Sequence, residues 1–220
     1  MQFEQYVRAL YGEACRQLES EALDRPLVDA LKTNGATAKQ VVQWMTRYNI
    51  VQGIDDGTRR KAARAFLKYA RGKRPKRLLT AAAVKREFST LHGALHRAKQ
   101  RGWTSATSKL LWLLYPRDVA MYDEFVYQSL VVIQGVDTEW RAQTRIGGKP
   151  DFGKGIARAK ALGYATEHYV CAWTLIRSLM ARQELVLQEL RQAQRRRYPY
   201  DIRIIDRLLW MLGNAKHQFS

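Results

Sequence analysis

Lys109 and Asp123 stand 14 positions apart in one stretch that runs from Arg101 to Val126, and they are the two side chains whose type and setting best fit chemistry. Asp123 lies at a predicted helix start among Met121, Tyr122, Phe125 and Val126. A carboxylate there either caps the unpaired backbone N–H groups of the helix or is held for catalysis. Lys109 falls in the early turns of the preceding helix, which begins near Ser105 after a turn at Gly102. Pro116 then forces the chain out of that helix before Asp123 opens the next. This order lets an amine and a carboxylate face one cleft.

The elements around them read as helices almost everywhere. Phe3, Tyr6, Val7, Leu10, Tyr11, Ala14 and Leu18 recur at spacings of three and four and predict a first helix over residues 2–20. Pro26 suits the first turn of a short helix ending near Asn34-Gly35, and Thr37 caps the next, with Val41, Val42, Trp44, Met45 and Tyr48 apolar. Asp55 or Asp56 caps a helix through Tyr69, and Thr80 another through Arg101. The second half predicts helices over Ser105–Tyr115, Tyr122–Ile133, Ile156–Leu162, Thr166–Gln194 and Tyr200–Leu212, with a Gly- and Lys-rich loop at 145–155. Alternating strand patterns and repeats of fixed period are absent, so the expected fold class is all-α, about ten helices in two lobes. The basic loop 71–77, with Gly72 and Pro75, is the expected boundary between the lobes of a single domain spanning 1–220.

The chain has 220 residues, 46% apolar and 26% charged, which is the composition of an autonomously folding globular protein. Its charge is the outlying property: 38 Lys and Arg against 20 Asp and Glu give a net of +18. Self-repulsion of that size points to a polyanionic partner. Apolar runs fall short of the ~20 residues a membrane span needs, so nucleic acid is favoured over membrane. The N-terminus reads neither as a secretory signal nor as a transit peptide, and a cytoplasmic, monomeric protein is expected. Cys15 and Cys171 lack the motifs of zinc or iron–sulfur sites and are expected to be buried thiols. His92 and His96 have metal-ligand spacing without an evident third ligand, so no metal or other cofactor is expected.

Basic residues gather at 59–64, 71–77, 97–101, 145–160 and 191–197, with Arg101, Lys149 and Lys154 as candidate DNA contacts. Neutralising about six phosphates would make log affinity fall with log salt at a slope near −5. Several aromatics, among them Trp44 and Tyr122, interleave with this charge and are candidates for stacking on an extruded base. Trp103 and Phe152 sit in polar, Gly-flanked segments and are read as wedge or pocket residues.

The segment 104–126 resembles the helix-hairpin-helix DNA glycosylase superfamily, in its divergent branch of 8-oxoguanine glycosylase-like bacterial proteins. The resemblance rests on Ser108-Lys109-Leu110-Leu111, on Pro116, on Tyr122-Asp123-Glu124-Phe125-Val126 and on the C-terminal segment Arg203 to Gly213. It implies two helical lobes with duplex DNA gripped at the cleft between them and a modified base flipped into a pocket. By that resemblance Asp123 is the catalytic carboxylate that stabilises an oxocarbenium-like C1′ as the glycosidic bond breaks. Lys109 matches the lysine with which bifunctional members attack C1′, a role that needs desolvation of the amine. The family's Gly-x-Gly hairpin is replaced by Thr104-Ser105-Ala106-Thr107-Ser108, so hydroxyls and a helix N-terminus must rebuild the phosphate clamp. The implied substrate is either a hypermodified phage base, such as glucosylated hydroxymethylcytosine, or an oxidised guanine. The alternative is a non-catalytic helical nucleic-acid-binding protein in which Lys109 contacts phosphate and Asp123 only caps.

Overall fold

The computed structural model describes residues 3–20, 24–50, 53–100, 102–137, 165–194 and 198–218. The regular structure among the described residues is all helical: α1 (Phe3–Ser20), α2 (Asp24–Lys32), α3 (Ala38–Arg47), α4 (Asp56–Ala70), α5 (Ala81–Ala98), α6 (Thr104–Leu114), α7 (Glu124–Val136), α8 (Ala165–Arg182), α9 (Glu184–Gln194) and α10 (Asp201–Gln218). The starts follow local chemistry. Thr37 closes a capping box with Gln40 at the start of α3, Asp55 accepts from Thr58 N–H at α4, and Thr80 accepts from Ala83 N–H at α5. Each such cap contributes about 1 kcal/mol. The left-handed residue after α2 is Asn34, at φ 58°, rather than the neighbouring glycine.

One expected helix is two. The helix expected over Thr166–Gln194 is broken at Gln183, whose N–H bonds to Leu179 and Met180 carbonyls while α8 ends and α9 begins. The break turns α9 so that it packs on α1 with Val186 and Leu187 buried. The helix expected over Ile156–Leu162 lies outside the described residues.

The chain divides into two compact units, Met1–Ser20 with Tyr122–Ser220, and Glu21–Met121. The division therefore does not fall at loop 71–77. That loop lies within the contiguous unit because its end is tied down: Arg77 grips buried Asp118 with bonds of 2.7–2.9 Å, and Leu78 N–H donates to the same carboxylate at 2.9 Å.

In the contiguous unit, α4 packs on α3 and α5, and α6 on α5 and α2. Phe66, Phe88, Leu91, Leu110, Leu111 and Trp112 form the centre of its core. Buried Asp24 accepts from Trp44 Nε1–H at 2.8 Å and Tyr48 O–H at 2.7 Å, which ties the start of α2 to α3.

In the discontinuous unit, α10 is the hub, packing on α7, α1 and α8. Ile204, Ile205, Leu208 and Leu209 of α10 are fully buried, together with Val7 and Ala14 of α1, Leu130 of α7 and Tyr169 and Ile176 of α8. Gly213 lets α10 approach α7 closely, since a Cβ there would collide with the Phe125 carbonyl. Arg203 and Asp206 form an ion pair, both nearly fully buried. No helix among the described residues is long and apolar enough to cross a membrane.

Candidate functional site

Asp123 is the N-cap of α7, with extended backbone, and its Oδ1 accepts from Val126 N–H at 3.2 Å. The side chain is half-buried, and Glu124 adds a second acid to the first turn, where the helix dipole favours negative charge. The residue before it is anchored in the core. Tyr122 is buried, its hydroxyl is hydrogen-bonded to buried His168 Nε2 at 2.6 Å, and its ring meets His168 and Tyr169 edge-on. Burial, reinforced by Glu124 and Asp123, pushes the Tyr122 phenol well above its ordinary value, so it stays neutral. Expected as a pocket wall, Tyr122 is thus a core anchor that fixes the backbone beside Asp123. His168 was not singled out in the sequence: a lone histidine on an apolar face carries no signal of its partner.

Lys109 is half-buried on α6, between fully buried Ser108 and Leu110. It belongs to the contiguous unit and Asp123 to the discontinuous one. Helix α6 starts at Thr104, one residue before the expected Ser105. Its N-cap, Trp103, makes no side-chain capping bond. The first-turn N–H groups of α6 thus present donors of the kind that hold phosphates. Thr104 and Ser105 are half-exposed beside them, as a phosphate-binding turn requires.

Four further candidate residues need correction. Trp103 is 1% exposed, with Nε1–H donating to the Lys99 carbonyl at 2.8 Å, so it is no duplex wedge. Glycine neighbours made it look like a loop residue, but the indole turns inward and helps close the core between α5 and α6. Trp44 is fully buried on Asp24, and a ring without accessible surface does not stack on a base. Thr107 and Ser108 are fully buried, and Ser108 Oγ donates to the Ser105 carbonyl at 2.9 Å; neither hydroxyl is presented to a phosphate. Arg101, Lys149, Phe152 and Lys154 lie outside the described residues.

The charge is unevenly divided between the units. Glu21–Met121 carries 21 Lys and Arg against 7 Asp and Glu, a net of +14, whereas the rest of the chain carries 17 against 13, a net of +4. Some of the basic residues in the contiguous unit are structural, as Arg77 on Asp118 shows, and Arg74 donates to the Ala70 carbonyl. Among the described residues there is no group of three or more His, Cys, Asp and Glu side chains that could hold a metal ion. His92 and His96 stack on one another with Phe88 beyond.

No family model, curated protein or solved structure matches the chain.

Proposed function

We propose that the protein is a DNA N-glycosylase of helix-hairpin-helix type that flips a modified base out of the duplex and cleaves its N-glycosidic bond. The observation that carries this reading is Asp123. It is a half-buried carboxylate held by a helix N-terminus, on a backbone pinned by the buried Tyr122–His168 pair, within the segment that resembles the superfamily. A carboxylate so fixed stabilises positive charge developing at C1′ without reorganising. The high positive charge of Glu21–Met121 and the start of α6, where no side chain caps the helix, supply the attraction for phosphates. Lys109 is the candidate nucleophile for a lyase step, and the candidate substrates are a hypermodified phage base or an oxidised guanine.

One observation favours a second reading. The Asp123–Val126 bond accounts for the carboxylate as a cap alone, which fits a binding protein without catalysis. The two readings separate in one experiment, mass spectrometry of bases released from matched duplexes containing 8-oxoguanine, uracil, hydroxymethylcytosine or glucosylated hydroxymethylcytosine, and from unmodified DNA. Asp123→Asn keeps a cap acceptor while removing the charge. The glycosylase reading expects release of one modified base by the wild type and none by Asp123→Asn, with melting temperature and DNA binding unchanged. Tight binding without release from any of these duplexes overturns it in favour of the binding protein.

A further inference from the structure

A groove of about 610 Å³ runs between α4 and α5 in the contiguous unit. Lys61, Arg64 and Lys68 of α4 and Arg97 of α5 surround it, all of them exposed. Lys61, Arg64 and Lys68 fall at i, i+3 and i+7, so they form one row along a single helix face. The floor is apolar, made by Ala65, Ala94, Ala98 and the Tyr69 ring. Its polar neutral groups are already engaged: Tyr69 O–H donates to Glu87 at 2.6 Å, and Thr90 O–H donates to the Arg86 carbonyl at 2.8 Å. The acid beneath the groove, Glu87, is buried and also paired with Arg86, and no carboxylate lines the groove.

A site with four exposed cations and no carboxylate recognises negative charge, and most contacts that Arg and Lys make with DNA go to phosphate oxygens. We infer that the α4–α5 groove is a sequence-independent seat for the sugar–phosphate backbone of duplex DNA. The inference rests on the reading that the protein acts on DNA and adds where the backbone is held. The geometry fits a strand: seven residues of α4 rise about 10.5 Å, and B-DNA presents one phosphate per strand about every 3.4 Å of axis, so the row spans about three phosphates.

The test is fluorescence anisotropy with a short, unmodified, fluorescein-labelled duplex, titrated at several salt concentrations. The proteins are the wild type, the groove variant Lys61→Gln/Arg64→Gln/Lys68→Gln/Arg97→Gln, and a charge-matched control, Arg25→Gln/Lys32→Gln/Lys39→Gln/Arg47→Gln, on exposed positions of α2 and α3. Glutamine forms helix about as well as lysine and arginine, and far-UV melting checks that each variant folds. If the groove variant does not fold, the pairs Lys61→Gln/Arg64→Gln and Lys68→Gln/Arg97→Gln replace it, each expected to take part of the effect. At about 0.9 per phosphate, losing three contacts lowers the salt slope by about 2.7, so between about 50 and 200 mM salt the wild type loses about 40-fold more affinity than the groove variant. The control is expected to keep the wild-type slope. A groove variant with the wild-type slope, or a control that loses as much, overturns the groove assignment and leaves the DNA reading standing. A wild type that does not bind the duplex overturns both.

Discussion

Replacing Gly213 by alanine probes the close approach of α10 to α7. A Cβ at this position would collide with the Phe125 carbonyl oxygen and lie 2.7 Å from its carbon and 2.9 Å from Ser129 Oγ. Two of these three atoms are backbone of α7, so no change of side-chain rotamer relieves the clash and α10 must move away from α7. Overpacking of a core costs about 1–3 kcal/mol, and a clash with backbone belongs at the upper end. Against it stands the better helix propensity of alanine, about 1 kcal/mol. The net loss is about 2 kcal/mol, which for a chain of this length lowers the melting temperature by roughly 4–8 °C. Gly135→Ala is the matched control, because a Cβ there meets nothing within 4 Å. Its melting temperature is expected to stay level or rise. Thermal unfolding followed by circular dichroism decides the matter: a Gly213→Ala protein that melts at or above the wild type refutes the packing argument.

Two further outcomes follow from buried polar groups. Asp118→Ala leaves the Leu78 N–H buried without its acceptor and is expected to cost about 1–3 kcal/mol in urea unfolding; Asp118→Asn keeps an acceptor and loses less, and equal losses contradict the assignment. The pKa of His92 is lowered by burial, with His96 adding to the effect, so the folded state binds fewer protons than the unfolded chain. Stability from that group is therefore present above its ordinary value near 6.5 and declines as pH falls below it. The wild type should lose melting temperature relative to His92→Gln between neutral and mildly acidic pH, and parallel curves would show that His92 does not contribute.

What was legible in the sequence is what local chemistry decides. Thr37, Thr80 and the Asp55-Asp56 pair mark helix starts because each carries an oxygen that the backbone N–H groups of the following turn need, and Thr37, Thr80 and, of the pair, Asp55 are the caps. The break at Gln183 was not legible, because no glycine or proline marks it and the cause is the packing of α9 on α1, far away in sequence. Trp103 misled for a related reason: flanking residues describe local backbone, whereas the indole's burial depends on α5 and α6 meeting around it. The groove cations were visible only as fragments, Lys61 and Arg64 in one run and Arg97 in another, with Lys68 outside both. Only the pairing of α4 with α5 brings them to one place.

The discontinuity of the unit built from both chain ends sets an order of assembly. Every residue of the other unit has been synthesised once Met121 is added, so all of its helix pairings, including that of α6 with α2, can form from then on. Helix α1 is made first and closed late: Ser20 precedes Asp201 by about 180 residues, which at about 5–20 residues per second is roughly 9–36 s of translation. Through that interval the apolar face of α1, which carries the buried Val7, Tyr11, Ala14 and Leu18, lacks the share of its cover that α10 supplies. Within its unit, helix α1 therefore waits longest for its last partner, and loss of α10 takes that cover away and leaves the contact with α9.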